Sequence, residues 1–451
     1  MAISTPNYDP ATTAAALAEK YVSGQQQMLT DRTKRAAATE KALNDLRTAL
    51  SNFQTALSSL TSTGKSVFAQ SATFSDTTVG SAVAKPTAAA GTYSFHVERL
   101  ATASQVSYAL DEDSGASGTL AVNVGLTSID IDLDAAGSNG KPPTPREIAA
   151  AINASPKNTS LVTASVITTA AGKYELVLTA KNTGKDSEIT VAYNGTTPPG
   201  APFDSGKELV AAQDALIYIG SATGTPITQA SNTFNSIDGV SMTFTKTTSS
   251  PVTLTVGADA AKTKDNVQAF VDAYNKMKST VDTLTASGDP AKGVSAGAFA
   301  GDSGINALRT QLVSLLRPTG ADSLALYGIT ANRQGTLSLD TVRLNKALEA
   351  NPAGLDTLIG NTAGTAGTGL AGKLDTYLKK WTTMASGQIH LRKEAVSKLQ
   401  LELTTRQDVL DKQYDTAYNR YLMQFSQLQT IQNQMLSNSS MFDALFSSKK
   451  D

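Results

Sequence analysis

Residues 43–60 read LNDLRTALSNFQTALSSL, with large apolar side chains at Leu43, Leu46, Leu50, Phe53, Leu57 and Leu60. Steps of three and four put these residues on one helix face, the spacing of a heptad seam. Such a stripe needs a second helix to cover it. The far end of the chain offers one, because Val396, Leu399, Leu403, Leu410, Tyr414, Ala417, Tyr421, Phe425, Leu428 and Met435 keep a similar spacing, with Arg406 and Gln432 at seam positions. Consecutive steps of four, Arg406 to Leu410 to Tyr414 and Ala417 to Tyr421 to Phe425, read as stutters that relax a left-handed supercoil. Two terminal stripes predict an antiparallel pair within one chain, a rigid leg formed by Leu43–Leu60 and Val396–Leu410. The outermost parts are sparser. Ala11–Ala38 is alanine-rich, with Leu17, Tyr21, Val22, Met28 and Leu29 scattered along it, so it buries little alone and is expected to order only against a partner.

Between the stripes the period changes from helical to two. After Gly91, Tyr93, Phe95 and Val97 alternate with Ser94, His96 and Glu98, the signature of a strand with one wet face. Further strands are expected at Ile129, Ile131 and Leu133, at Leu161–Ile167, at Tyr174, Leu176 and Leu178, and at Ile189, Val191 and Tyr193 before Asn194-Gly195. One helix interrupts them: Thr144 as N-cap, Pro145 in the first position and Glu147 in the third spell a capping box, with Ile148 and Ile152 on the apolar face. Thr196–Ser205 reads as a linker, and a second β segment follows from Asp214 to Val256. Helical spacing returns at Val267, Phe270, Val271, Tyr274 and Met277 and at Ile305, Leu308, Leu312 and Leu315. A short β stretch at Leu337 and Leu339 then precedes a helix with Leu344 and Leu348, and Gly360–Gly372 is expected to be a loop before the terminal helix.

The expected architecture is multidomain α plus β, an antiparallel coiled-coil or helical-bundle leg with β-rich head domains inserted between its helices. Its parts are terminal helical segments 1–40 and 408–451, disordered until assembly; a helical leg, 41–70 with 262–407; a β-rich head domain, 71–120 with 205–261; and an outer α+β head domain, 121–204. At 451 residues several cores are needed.

Composition excludes whole classes of function. Basic and acidic residues nearly cancel to a formal charge of -1, so no global field draws in nucleic acid or an anionic membrane. No apolar run approaches the roughly 18 residues of a membrane span, and Met1–Val22 lacks the basic and apolar regions of a secretory signal. With no cysteine, disulfides, thiolate metal sites and cysteine nucleophiles are absent.

Three patterns suggest chemistry and fall short of it. Thr63-Gly64-Lys65-Ser66 resembles the end of a phosphate-binding loop, but the required earlier glycine is Ser59 and a helix precedes where a strand should, so Gly64 reads as a helix cap. Asp130, Asp132 and Asp134 alternate like calcium ligands, yet the positions of the loop glycine and closing glutamate are Ala135 and Lys141, leaving the wet face of a strand. His96 and His390 are the only histidines, too few for a triad or zinc site, and read as solvated. No carboxylate pair sits in a glycosidase context. The expectation is a non-enzyme without cofactor or metal.

Several segments, in order, resemble the bacterial flagellar filament cap family, also called flagellar hook-associated protein 2. They are GTYSFHVERLA (91–101), REIAAAIN (146–153) with its following hairpin, which looks like the flagellin hook IN motif, SNTFNSIDGVS (231–241), DNVQAFVDAYN (265–275), FAGD (299–302), YGI (327–329) with GTLSLD (335–340), and YLMQFSQLQTIQNQM (421–435). One departure is YDPATT at 8–13, where the family usually has a Gly-Ser-Gly-Leu-Asp type of segment.

The resemblance implies a pentamer-like homo-oligomeric ring at the distal tip of the flagellum, outside the cell, that helps exported flagellin fold and insert. Export would run through the flagellar type III apparatus without a cleaved signal. Implied partners are further copies of the chain, flagellin, the hook-filament junction protein and an export chaperone. Tyr421, Phe425, Leu428, Met435, Phe442, Leu445 and Phe446 would form the assembly and partner tail. Host mucin or glycans are a further possible ligand of the β domains. The alternatives are another axial flagellar protein, a surface adhesin, or a secreted hydrolase on a helical stalk.

Overall fold

The computed structural model describes residues 9–138, 140–195, 203–317, 323–363 and 367–447. It comprises two compact units, one of residues 1–67 and 264–451 and the other of 68–263. Helix α1 (Pro10–Thr61) opens the chain. The second unit contains β1 (Gln70–Phe74), β2 (Gly80–Ala84), β3 (Gly91–Arg99), β4 (Gln105–Asp111), β5 (Thr119–Val124), β6 (Thr127–Asp132), α2 (Leu133–Ala136), α3 (Pro145–Ala154), β7 (Val162–Ala170), β8 (Lys173–Ala180), β9 (Ile189–Asn194), β10 (Lys207–Val210), β11 (Ala215–Ile219), β12 (Thr225–Gln229), β13 (Thr233–Ile237), β14 (Val240–Phe244) and β15 (Val252–Ala258). Then follow α4 (Ala260–Thr285), α5 (Ser303–Leu315), β16 (Ile329–Ala331), β17 (Leu337–Leu339), α6 (Thr341–Ala350), α7 (Pro352–Ile359), α8 (Gly369–Thr382) and α9 (Gln388–Ser447).

Among the described residues of the second unit two cores stand out. In the first, a five-stranded sheet ordered β1-β15-β3-β11-β12 and a three-stranded sheet ordered β13-β14-β2 contribute to one apolar cluster. Phe244 lies at its centre, with ring centroids 5.2 Å from Phe74, 6.1 Å from Phe95 and 5.7 Å from Phe234. Strand β3 alternates as its sequence requires, with Phe95 and Val97 buried. His96 is half-buried rather than fully solvated, because β3 is an interior strand; its Nδ1 lies 3.3 Å from the Thr248 hydroxyl.

The second core joins the sheet β10-β4-β8-β7 to the sheet β6-β5-β9 and to α3. Helix α3 has the expected capping box, Thr144 with Glu147. This core includes Val106, Tyr108 and Leu110, so it takes in β4 and extends beyond 121–204. A boundary drawn at 121 falls inside a set of paired strands, because β4 pairs with β8 across more than sixty residues of sequence. Leu133 belongs to α2 rather than to a strand. Asp132 accepts a hydrogen bond from the Ala135 N–H at 3.0 Å and so starts a short helix where the alternation would have continued. Most of Thr196–Ser205 lies outside the described residues.

Among its described residues the first unit is mainly helical, with the β16-β17 hairpin and short 3₁₀ turns. Phe53 of α1 sits 6.2 Å from Phe270 and 5.9 Å from Tyr274 of α4. Gln54 accepts from the Thr382 hydroxyl at 2.8 Å and donates to Asp375 at 3.3 Å, joining α1 to α8. The loop expected over Gly360–Gly372 is shorter, since α8 begins at Gly369 and buries Leu370, Ala371 and Gly372.

Candidate functional site

The feature that sequence and structure single out is the antiparallel pair α1 and α9. Its register is fixed by polar contacts: Gln26 and Gln407 exchange reciprocal amide hydrogen bonds of 3.1 and 3.0 Å, Gln400 donates to Glu40 at 2.8 Å, and Lys393 donates to Asn44 at 2.8 Å. Beside these contacts Val22, Leu29 and Ala36 of α1 form one buried cluster with Leu403 and Leu410 of α9.

That register corrects the pairing expected from sequence. The Val396–Leu410 stripe lies mainly against the earlier half of α1, the alanine-rich segment expected to await a partner, which is a continuous helix here. Leu43 and Val396 still line one cleft with Phe299 and Arg392. Because α9 begins at Gln388, Phe53 and Gln54 find their partners on α4 and α8 instead. The signal was present: Val22, Leu29, Ala36, Leu43, Leu50 and Leu57 are all buried at a spacing of seven, so the Leu43 seam continues towards the N-terminus through a position held by alanine.

The α9 seam is likewise narrower than its stripe. Val396, Leu403, Leu410 and Ala417 are buried at intervals of seven, and half-buried Tyr414, four residues after Leu410, packs against the same cluster. Leu399 is 42 % exposed. Arg406 is exposed and donates to Glu402 one turn earlier at 3.0 Å, so it belongs to the wet face. Leu43, Leu46, Leu50, Phe53 and Leu57 are buried, while Leu60 is half-buried at the helix end.

Towards the chain's end α9 becomes exposed. Tyr421 and Phe425 are half-buried; Arg420 stacks its guanidinium 4.9 Å from the Tyr421 ring and 6.0 Å from that of Tyr21. Leu428, Met435 and Phe442 are 42 %, 66 % and 60 % exposed. Leu445 and Phe446 lie within α9, but their side chains fall outside the described ones. Alongside the seam, Met28, Leu29, Arg32, Arg406, Val409 and Leu410 line a groove of about 410 Å³.

The quoted motifs act through asparagine and aspartate, whose roles periodicity does not reveal. Asn232 clamps both backbone groups of Ala101 at 2.7 and 2.9 Å, and Asn275 does the same for Leu337 at 2.8 and 2.8 Å. Asp302 of FAGD caps α5 and is held by Arg392. Thus 91–101 is tied to 231–241, and 265–275 to 335–340. Gly64, with φ at 75°, follows the end of α1 and makes a turn there. Asp130 pairs with Lys157 at 2.7 Å, Asp132 caps α2, and Asp134 accepts from the Gly118 N–H. His390 is exposed, 3.8 Å from Glu394. Among the described residues no group of three His, Asp or Glu gathers as metal ligands, and no helix is long and apolar enough to cross a membrane.

Comparison with known proteins adds a second line of observation. Residues 7–104 match the model for the N-terminus of flagellar hook-associated protein 2, and residues 212–437 that for its C-terminus. The lateral flagellar hook-associated protein 2 of Vibrio parahaemolyticus is 33% identical over 370 residues, covering 79% of this chain and 81% of that one. The B-type flagellar hook-associated protein 2 of Pseudomonas aeruginosa is 32% identical over 424 residues, covering 87% and 86%. The crystal structure of the D1-D2-D3 domains of the flagellar cap protein from Escherichia coli aligns with a TM-score of 0.62 at 27% identity, over 79% of this chain and 99% of that one.

Proposed function

Because the chain belongs to the flagellar hook-associated protein 2 family, we propose that it caps the flagellar filament at its distal tip, outside the cell. Copies of the chain assemble into a closed ring, and the α1–α9 pairs serve as legs seated in the filament end. The β-rich unit covers newly exported flagellin, which folds and inserts beneath it before it can diffuse away. No bond is made or broken; the work is geometric, since a ring whose symmetry differs from that of the filament leaves one insertion site open at a time.

The observation that carries this reading is the apolar surface that α9 leaves exposed from Leu428 through Phe442, outside the seam that ends at Ala417. Apolar side chains repeating along an exposed helix are a surface to be covered by assembly. Before assembly the same stretch is the natural handle for an export chaperone. Ending the chain after Leu428 tests the reading: filament growth should stop and flagellin monomers should collect in the medium, whereas normal filaments would refute it.

A further inference from the structure

The sheet β10-β4-β8-β7 has two edge strands, and the β7 edge is sealed over only part of its length. The Lys181 N–H donates to the Leu161 carbonyl at 2.9 Å. In the antiparallel ladder that follows, odd-numbered residues of β7 bond β8, and even-numbered residues turn their N–H and C=O to the outer side. At Val162 and Ala164 those groups are taken by side-chain amides. Asn158 accepts from the Val162 N–H at 3.1 Å and donates to its carbonyl at 2.9 Å; Asn153 of α3 does the same for Ala164 at 2.9 and 2.8 Å. Two asparagines therefore stand where another strand would run.

Beyond Ala164 the seal ends. Val166 and Thr168 turn the same backbone groups outward in a stretch, Val166–Ala170, that has no charged residue and leaves Ile167 55 % exposed. An uncharged edge rich in β-branched residues is a template for a further strand.

The opposite edge of the same sheet supplies one in the right direction. Strand β10 is exposed at all four residues and runs antiparallel to β4. Successive strands of this sheet alternate in direction. With an even number of strands, a second copy set beside the first in the same orientation brings its β10 antiparallel to β7. Such head-to-tail contacts can close into rings.

We propose that the Val166–Thr168 edge of β7 receives β10 of a second copy, continuing the sheet across the subunit boundary, with Asn153 and Asn158 closing the edge ahead of it. This rests on the ring reading given above. The chain has no cysteine, so introduced thiols report neighbours cleanly. Full-length Ile167→Cys is mixed with Glu208→Cys, Leu209→Cys or Val210→Cys, and oxidised after assembly. A disulfide between two different variants is expected in at least one mixture.

Thr168→Pro in the Ile167→Cys chain should reduce that product to background while its circular dichroism stays unchanged, because the lost N–H is one β8 does not use. Thr168→Lys, which leaves the backbone intact, should do the same. Ile167→Cys linking only to itself would mean two-fold edge pairing and overturn the proposal. So would rings seen by mass and imaging without any mixed cross-link, an outcome that leaves the ring reading standing. A chain that stays monomeric at every concentration removes both.

Discussion

Arg392, in the first turns of α9, grips the carboxylate of Asp302, the N-cap of α5, with both terminal guanidinium nitrogens, Nη2 lying 3.1 Å from Oδ1. The Trp381 ring lies 5.9 Å from the same guanidinium. This hydrogen bonding holds the Asp302 carboxyl below its ordinary range, outweighing the burial that acts in the opposite sense. A carboxyl depressed in the folded state adds stability above its unfolded pKa and loses it as pH falls through the folded one. Asp302→Asn should therefore cost about 1 kcal/mol at neutral pH, and the gap to wild type should close below about pH 4. Urea titrations at stepped pH would reveal this; a gap that widens on acidification contradicts it.

Phe53 tests the junction of α1 and α4. It is 1% exposed and packs on Phe270 and Tyr274. Phe53→Ala should destabilise the helical unit by about 3–5 kcal/mol, read as a lower urea midpoint. A loss below about 1 kcal/mol would mean that this core can collapse around the cavity.

Asn275 supplies both hydrogen bonds to the Leu337 backbone at the start of β17. Asn275→Leu leaves that N–H and C=O unpaired and should cost about 1–3 kcal/mol. Hydrogen exchange should locate the effect, with the Leu337 amide exchanging faster than in wild type.

The reciprocal Gln26–Gln407 contact yields a prediction with a sign change. Gln26→Leu or Gln407→Leu alone leaves the remaining amide only its same-helix contact, Gln407 to Asp411 or Gln26 to Thr30, and removes its partner across the pair, which should lower the melting temperature. The double variant, with two leucines in contact, should melt above either single one. Strict additivity in the melts would show that the two glutamines do not act as a pair.

What the sequence makes legible follows from what periodicity can encode. The face of α1, the alternation of β3 and the capping box of α3 are local, and all are present in the structure. Partners are not local. A heptad stripe specifies that a face is buried without saying by which helix, which is why Leu43–Leu60 could be assigned to α9 when Phe53 is covered by α4. Ala36 continues the seam with a side chain too small to stand out. Strand β4 lies in the outer core through pairing with β8, a relationship no window around Tyr108 contains. Asn153, Asn232 and Asn275 replace backbone partners with side-chain amides, and only their place in the family motifs marks them. The end of α9 is the converse case: its apolar spacing is readable in the sequence, and Leu428 and Met435 stand exposed in the structure.

The central claim is that this chain closes the growing end of a flagellar filament. The most direct measurement is electron microscopy of cells lacking it, with flagellin assayed in the medium. Hooks without filaments, abundant secreted flagellin monomer, and recovery of filaments when the full-length chain is restored are the predicted result. Filaments of normal length in its absence would contradict the account.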